Sequence, residues 1–290
     1  MIKAAWIGLG AMGNPMAAHL SRHSEVISLC VYNRTTAKAE AWLKENNGTL
    51  ARTPKEAVMG ATLVFSSVGN DDDLIEVTSG EDGAFHKMEP GCIFIDHSTT
   101  SAEVARTQAE LADAKNLAYL DAPVTGGQKG AEAGKLSIMV GGKAGALERA
   151  EPFLKAYATD VCHMGDVGAG QLTKMVNQIA IAGLVEGLAE ALNFAQKSDL
   201  NIDDVLKVLT QGAARSWQME NSGKSMAEGK FDHGFAVDWM RKDLDICLTE
   251  ARKKNAPLPI TQMVDGYFAD IQAMNGGRWD ITSLIKRLEE

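Results

Sequence analysis

Three short stretches hold residues whose types and spacing suit work on a nucleotide and an acid. Gly8-Leu9-Gly10-Ala11-Met12-Gly13 has the glycine spacing of a phosphate-binding turn. The first glycine permits a tight turn, the second lets a pyrophosphate approach the backbone, and the third lets a helix pack closely on a strand. The turn follows an apolar, strand-like run and opens a helix through Asn14-Pro15-Met16, so helical N–H groups and the positive end of the dipole would face the phosphates. Further on, Asn33-Arg34-Thr35 stands where an NAD site needs a carboxylate for the ribose 2′-OH. A guanidinium there offers forked, charge-assisted donors to a 2′-phosphate, so NADP(H) is expected over NAD(H). Thr125-Gly126-Gly127 follows a strand end, where exposed N–H groups of paired glycines can cradle a carboxylate; the substrate is expected to be an acid.

The elements that must position these residues divide the chain in two. Short β-branched runs alternate with helical patterns through the first half: strands are expected at 3–7, 26–32, 63–68, 93–96, 117–121 and 138–141, with helices such as 37–46 and 102–114 between them. This is the pattern of an α/β, doubly wound parallel sheet of Rossmann type, assigned to residues 1–163 as the dinucleotide-binding domain. From residue 164 strand alternation stops, and residues 164–290 are expected to form an all-α substrate and dimerisation domain. Its first helix, 171–197, is apolar nearly all round, which implies burial on several sides. Helices over 203–210, 219–228, 242–255 and 260–274 follow, with Pro257 and Pro259 marking a break.

With 290 residues, 45% of them hydrophobic, the chain can bury two cores. Its net charge of −9, with scattered Lys and Arg, argues against nucleic acid or an anionic membrane as partner. Cys30, Cys92, Cys162 and Cys247 form no close pair and read as reduced core thiols; with no export signal at the N-terminus, a cytoplasmic location is expected. The six histidines are dispersed, so no metal is expected, and a metal-dependent alcohol dehydrogenase is disfavoured. Asp71-Asp72-Asp73 reads as a solvated helix start.

Five motifs in order, IGLGAMGNPM at 7–16, DHST at 96–99, DAPVTGG at 121–127, GAGQLTKMVN at 168–177 and KDL at 242–244, make the whole chain resemble the β-hydroxyacid dehydrogenase family. That group contains 3-hydroxyisobutyrate dehydrogenase, tartronate semialdehyde reductase and glyoxylate/succinic semialdehyde reductase. On spacing alone Lys174 would pass for a solvated helix lysine. The resemblance instead makes it the proton donor that a carbonyl needs as it becomes an alkoxide, with Asn177 one turn further on. It also places Val68, Thr99 and Lys242 on the cofactor. Ser98, Phe235, Lys242 and Asp243 fall around the substrate, together with Thr125, Gly126 and Gly127. The family usually has serine where Thr125 stands, and Ala102 replaces a family proline.

The expectation is thus an NADP-preferring oxidoreductase acting on a small β-hydroxyacid or its aldehyde or keto form, assembled as a homodimer or homotetramer. Imine reductases resemble the family but generally lack the lysine, and a non-catalytic nucleotide sensor should have lost Lys174, Asn177 or the glycine pair. Their presence favours oxygen chemistry.

Overall fold

The structure, a computed structural model, describes residues 1–289, and these form two compact units: Met1–Lys174 and a second that begins at Met175. The first unit holds nine strands in one sheet. They are β1 (Ile2–Ile7), β2 (Val26–Tyr32), β3 (Thr49–Leu50), β4 (Leu63–Ser66), β5 (Ile93–Asp96), β6 (Ala118–Asp121), β7 (Val124–Thr125), β8 (Leu136–Gly142) and β9 (Ala158–Gly165). Between them run α1 (Gly13–Ser21), α2 (Thr36–Leu43), α3 (Pro54–Ala57), α4 (Asp71–Ser79), α5 (Ala102–Asp113), α6 (Gly127–Glu132) and α7 (Ala144–Leu154).

The strands β3-β2-β1-β4-β5-β6 are parallel neighbours in that order, the doubly wound arrangement expected. Period-two alternation sends side chains to two cores. Ala4, Trp6, Leu63, Phe65, Ile93 and Ile95 enter one, while Ala5, Ile7, Val64 and Phe94 enter the other. A strand covered on both faces must be apolar throughout, which is why β4 and β5 read as continuous hydrophobic runs. Beyond β6 the sheet changes character: β8 runs antiparallel to β6 and β7, and β9 joins β8 in parallel.

Strand periodicity does not reveal β3, β7 or β9. The first two are only two residues long, and β9 is an edge strand that leaves most of its side chains in solvent. That exposure corrects one expectation: Cys162 on β9 is exposed and Cys30 half-buried, so only Cys92 and Cys247 are core thiols.

Helix α8 (Ala169–Lys197) starts in the first unit and continues into the second. It is long and apolar enough to cross a membrane by length and composition alone, and 44% of its most apolar window is buried in the protein. The second unit continues with α9 (Ile202–Leu209), α10 (Trp217–Ala227), α11 (Val237–Lys253) and α12 (Pro259–Ala273), then a 3-10 stretch over Ile281–Leu288. Ala182, Val185, Leu192, Met240, Leu244, Val264, Phe268 and Leu284 form its core. Helix α11 begins five residues before the expected 242; no side chain caps its start, so the sequence carries no start signal there. Lys242 is therefore an interior residue of α11.

Candidate active site

The glycine turn has the geometry its sequence requires. Gly8 takes φ +95°, and a Cβ there would lie 2.2 Å from the Ser67 carbonyl oxygen. A Cβ on Gly13 would lie 2.1 Å from Gly8 O, so only glycine lets α1 leave the strand so closely. Around Gly10, by contrast, a Cβ would meet nothing within 4 Å. The turn thus presents open space beside its middle glycine at the start of a nine-residue helix, and the residues fit a dinucleotide pyrophosphate. Below it, Trp6 donates Nε1–H to Gly8 O at 2.9 Å and stacks on Phe65 at 5.4 Å.

Asn33 ties the turn to the end of β2: its Oδ1 accepts from Leu9 N at 2.8 Å and its Nδ2 donates to Thr35 O at 3.0 Å. Arg34 and Thr35 are exposed. The Arg34 guanidinium reaches α4, where Nη1 lies 2.6 Å from Asp73 Oδ1 and 4.0 Å from Glu76 Oε2. The acids at the start of α4 are consequently not a merely solvated run. Asn70 caps the helix by accepting from Asp73 N, and Asp71 accepts from both the backbone N–H and the hydroxyl of Ser101.

Two buried carboxylates stand at the carboxyl ends of adjacent strands, Asp96 on β5 paired in register with Asp121 on β6. Asp96 Oδ1 accepts from the hydroxyls of Ser66 and Ser98 at 2.7 and 2.6 Å. Ser98 in turn accepts from Val68 N at 2.8 Å, so its buried hydroxyl joins two strand ends. Thr99, next in the chain, is half-buried. Burial pushes both carboxyls up to about 6, against their hydrogen bonds, which lower them.

Asp121 also holds the start of α8: its two oxygens accept from Gly168 N at 2.8 Å and Gln171 N at 2.9 Å. The Gln171 side chain donates to Ser98 O and accepts from Thr100 N, and Gly170 sits so close that a Cβ would lie 2.5 Å from Met139 O and 2.6 Å from Asp121 O. One turn on, Lys174 is 9% exposed and its Nζ donates to Val124 O at 2.9 Å. Val124 leads directly into Thr125, Gly126 and Gly127, whose glycines take φ +122° and +64°. Backbone N–H groups at such a glycine turn are of the kind that can line an anion-binding nest. Asp121 and Gln171 lie inside motifs legible in the sequence, yet their anchoring roles depend on partners about 50 to 73 residues away.

In the second unit a hydrogen-bonded chain joins the other expected residues. Asn177 Nδ2 donates to Gln178 Oε1, Gln178 Nε2 donates to Asp243 Oδ2 at 2.6 Å, and Lys242 Nζ lies 2.9 Å from Asp243 Oδ1. Gln178, absent from the expected set, bridges α8 and α11. Lys242 also lies 6.0 Å from the exposed Trp239 ring. Asp238 accepts from Gln272 Nε2. Phe235 is half-buried against this unit's core, and its backbone N donates to Asp280 Oδ2. Among the described residues no group of three or more His, Cys, Asp or Glu could hold a metal.

Comparison with known proteins agrees with this architecture. Residues 3–165 match the NAD binding domain of 6-phosphogluconate dehydrogenase, and residues 168–288 match the NAD-binding segment of NADP-dependent 3-hydroxyisobutyrate dehydrogenase. An uncharacterized oxidoreductase of Shewanella frigidimarina is 51% identical over 290 residues, covering 100% of this chain and 99% of the relative. The 2-(hydroxymethyl)glutarate dehydrogenase of Eubacterium barkeri is 34% identical, covering 100% and 95%. Among solved structures, 3-hydroxyisobutyrate dehydrogenase of Mycobacterium tuberculosis with L-serine superimposes with a TM-score of 0.89 at 29% identity, over 100% of both chains. With the glycine turn, the sheet and both family segments in place over its full length, the chain belongs to the β-hydroxyacid dehydrogenase family and is a nicotinamide-dependent oxidoreductase of hydroxyacids.

Proposed function

We propose that the chain is an NADP(H)-preferring enzyme that interconverts a small β-hydroxyacid and its aldehyde or keto acid, with Lys174 as general acid and base. One observation carries the reading: a nearly buried lysine is fixed 2.9 Å from Val124 O, on the short strand β7 that runs through Thr125 into the Gly126-Gly127 turn. An ammonium and an anion cradle thus share one strand end. A substrate with a carboxylate one to three bonds from a carbonyl can occupy both.

Gly8 to Gly13 would hold the pyrophosphate, Arg34 and Thr35 the adenosine end, and Val68 and Thr99 the nicotinamide half. When bound, the nicotinamide supplies or accepts the hydride. Lys174 gives its proton to the carbonyl oxygen during reduction and takes it back during oxidation. The nest N–H groups and the Thr125 hydroxyl orient the carboxylate, while Asn177, braced by Gln178, holds the substrate oxygen or the lysine. In this reading Lys242, Phe235 and Asp243 also serve substrate binding, and Ser98 acts by fixing the loop that carries Thr99.

The partner is a small carboxylate-bearing metabolite. In this reading the protein works in the cytoplasm, and the exposed apolar residues Val176, Leu184 and Phe194 on α8 favour a homodimer or homotetramer. The test is nicotinamide absorbance with NADPH and NADH offered separately against glyoxylate, succinic semialdehyde and tartronate semialdehyde, and 3-hydroxyisobutyrate with the oxidised coenzymes. Turnover with NADPH and an aldehyde acid is expected. Silence on every acid would overturn the substrate reading, and better use of NADH would overturn the coenzyme preference.

A further inference from the structure

We propose that Asp73 sets the strength of coenzyme selection, by sharing Arg34 with the coenzyme and by fixing a negative charge where a 2′-phosphate would arrive. This rests on the reading that Arg34 stands beside the adenosine ribose. An NAD site carries its selecting carboxylate at the end of the second strand. Here that position holds Arg34, and the carboxylate comes instead from the first turn of α4, 39 residues along the chain.

Asp73 is the fixed member of the pair. Its backbone N is held by Asn70 Oδ1 at 2.8 Å, its Oδ2 lies 3.3 Å from Gly69 N, and its side chain is 20% exposed against 72% for Arg34. Its Oδ1 takes the Arg34 guanidinium at 2.6 Å, and Glu76 adds a second carboxylate 4.0 Å from the same nitrogen. The corner therefore holds one cation and two anions. A 2′-phosphate meets the attraction of Arg34 and the repulsion of both acids, and must compete with Asp73 for the guanidinium. A ribose 2′-OH is neutral and can donate to a carboxylate, so it feels no such opposition. Arg34 selects NADP(H), Asp73 limits that selection, and the protein accepts both coenzymes.

The experiment is a fluorescence titration of the protein with NADPH and with NADH, at low and high salt, for the wild type, Asp73→Asn, Glu76→Gln and Arg34→Ala. Asparagine keeps the shape of Asp73 and an oxygen for Gly69 N. Removing its charge is expected to raise the ratio of NADH to NADPH dissociation constants roughly ten-fold, the scale of one charge acting on another across a partly screened surface. The gain should shrink at high salt. Glu76→Gln, at an exposed position that leaves folding alone, should move the ratio the same way by less. Arg34→Ala should lower it. If Arg34→Ala weakens NADPH binding while Asp73→Asn and Glu76→Gln leave the ratio within about two-fold, the role of Asp73 is overturned and the NADP reading stands. An unchanged ratio in Arg34→Ala overturns the reading of Arg34 itself.

Discussion

In the proposed mechanism Lys174 must keep its ammonium near the oxygen that gains the proton, and its bond to Val124 O fixes the side chain. Replacing it with alanine is expected to lower kcat by ~10²–10⁴-fold, the range for loss of general acid catalysis. NADPH affinity, read by fluorescence titration, should change little, because the residues proposed to hold the pyrophosphate and adenosine stand at other strand ends. Turnover within a few-fold of wild type would remove Lys174 from the mechanism. Gly126 is a second residue-scale test. At φ +122° an added Cβ is strained and would lie 3.2 Å from Leu136 Cδ2, so Gly126→Ala should raise KM for the acid more than for the coenzyme. Equal changes in the two KM values would argue against a carboxylate nest.

At the scale of elements, the placement of Lys174 depends on how α8 is seated. Asp121 satisfies two of the otherwise orphaned N–H groups at the helix start, and Gln171 ties the same turn to the loop after β5. Asp121→Asn presents an N–H₂ where an acceptor is needed and should cost about 1–3 kcal/mol of stability, the range for a buried donor left unpaired. Its distinguishing mark is a loss in kcat that exceeds any loss in NADPH affinity. A variant that melts earlier but turns over normally would make Asp121 purely structural. Gly170→Ala should act the same way, since its Cβ would strike the backbone of Met139 and Asp121.

The whole molecule's response to pH carries the mark of its buried titrating groups. Inside the core His97 Nδ1 donates to Ala122 O and Nε2 accepts from the Tyr157 hydroxyl, and burial pushes the imidazole pKa down to about 4. In the unfolded chain it takes up a proton near 6.5, so its contribution is present above that pH and is lost as pH falls toward 4. Asp96 and Asp121, raised to about 6, act in the opposite sense: the folded state holds protons that the unfolded chain releases near 3.8, so stability from them declines between about pH 4 and 6. His97→Gln is therefore expected to lose less melting temperature than wild type between neutral pH and pH about 4.5, whatever its stability at pH 7. A steeper acid loss in the variant would show that His97 is charged in the folded state.

Much of this protein is set by local chain chemistry. The glycine turn could be read directly because positive φ and the absence of a Cβ are properties of single residues, and the parallel core because β4 and β5 need unbroken apolar runs. Family membership was legible from five motifs whose order a chance match would not keep. The edge strands were not, since two-residue β3 and β7 show no period and exposed β9 needs no apolar alternation. Nor was the longer α11, whose start lacks a capping side chain. Partners of the polar groups also needed the fold: Asp121 with the N–H groups of α8, Gln178 with Asp243, and Asp73 with Arg34 are pairs formed across 39 to 65 residues of chain. Sequence alone fixes which residues can turn, donate or carry charge. Only tertiary structure decides which charges meet, because the distance between two side chains far apart in the chain is a property of packing.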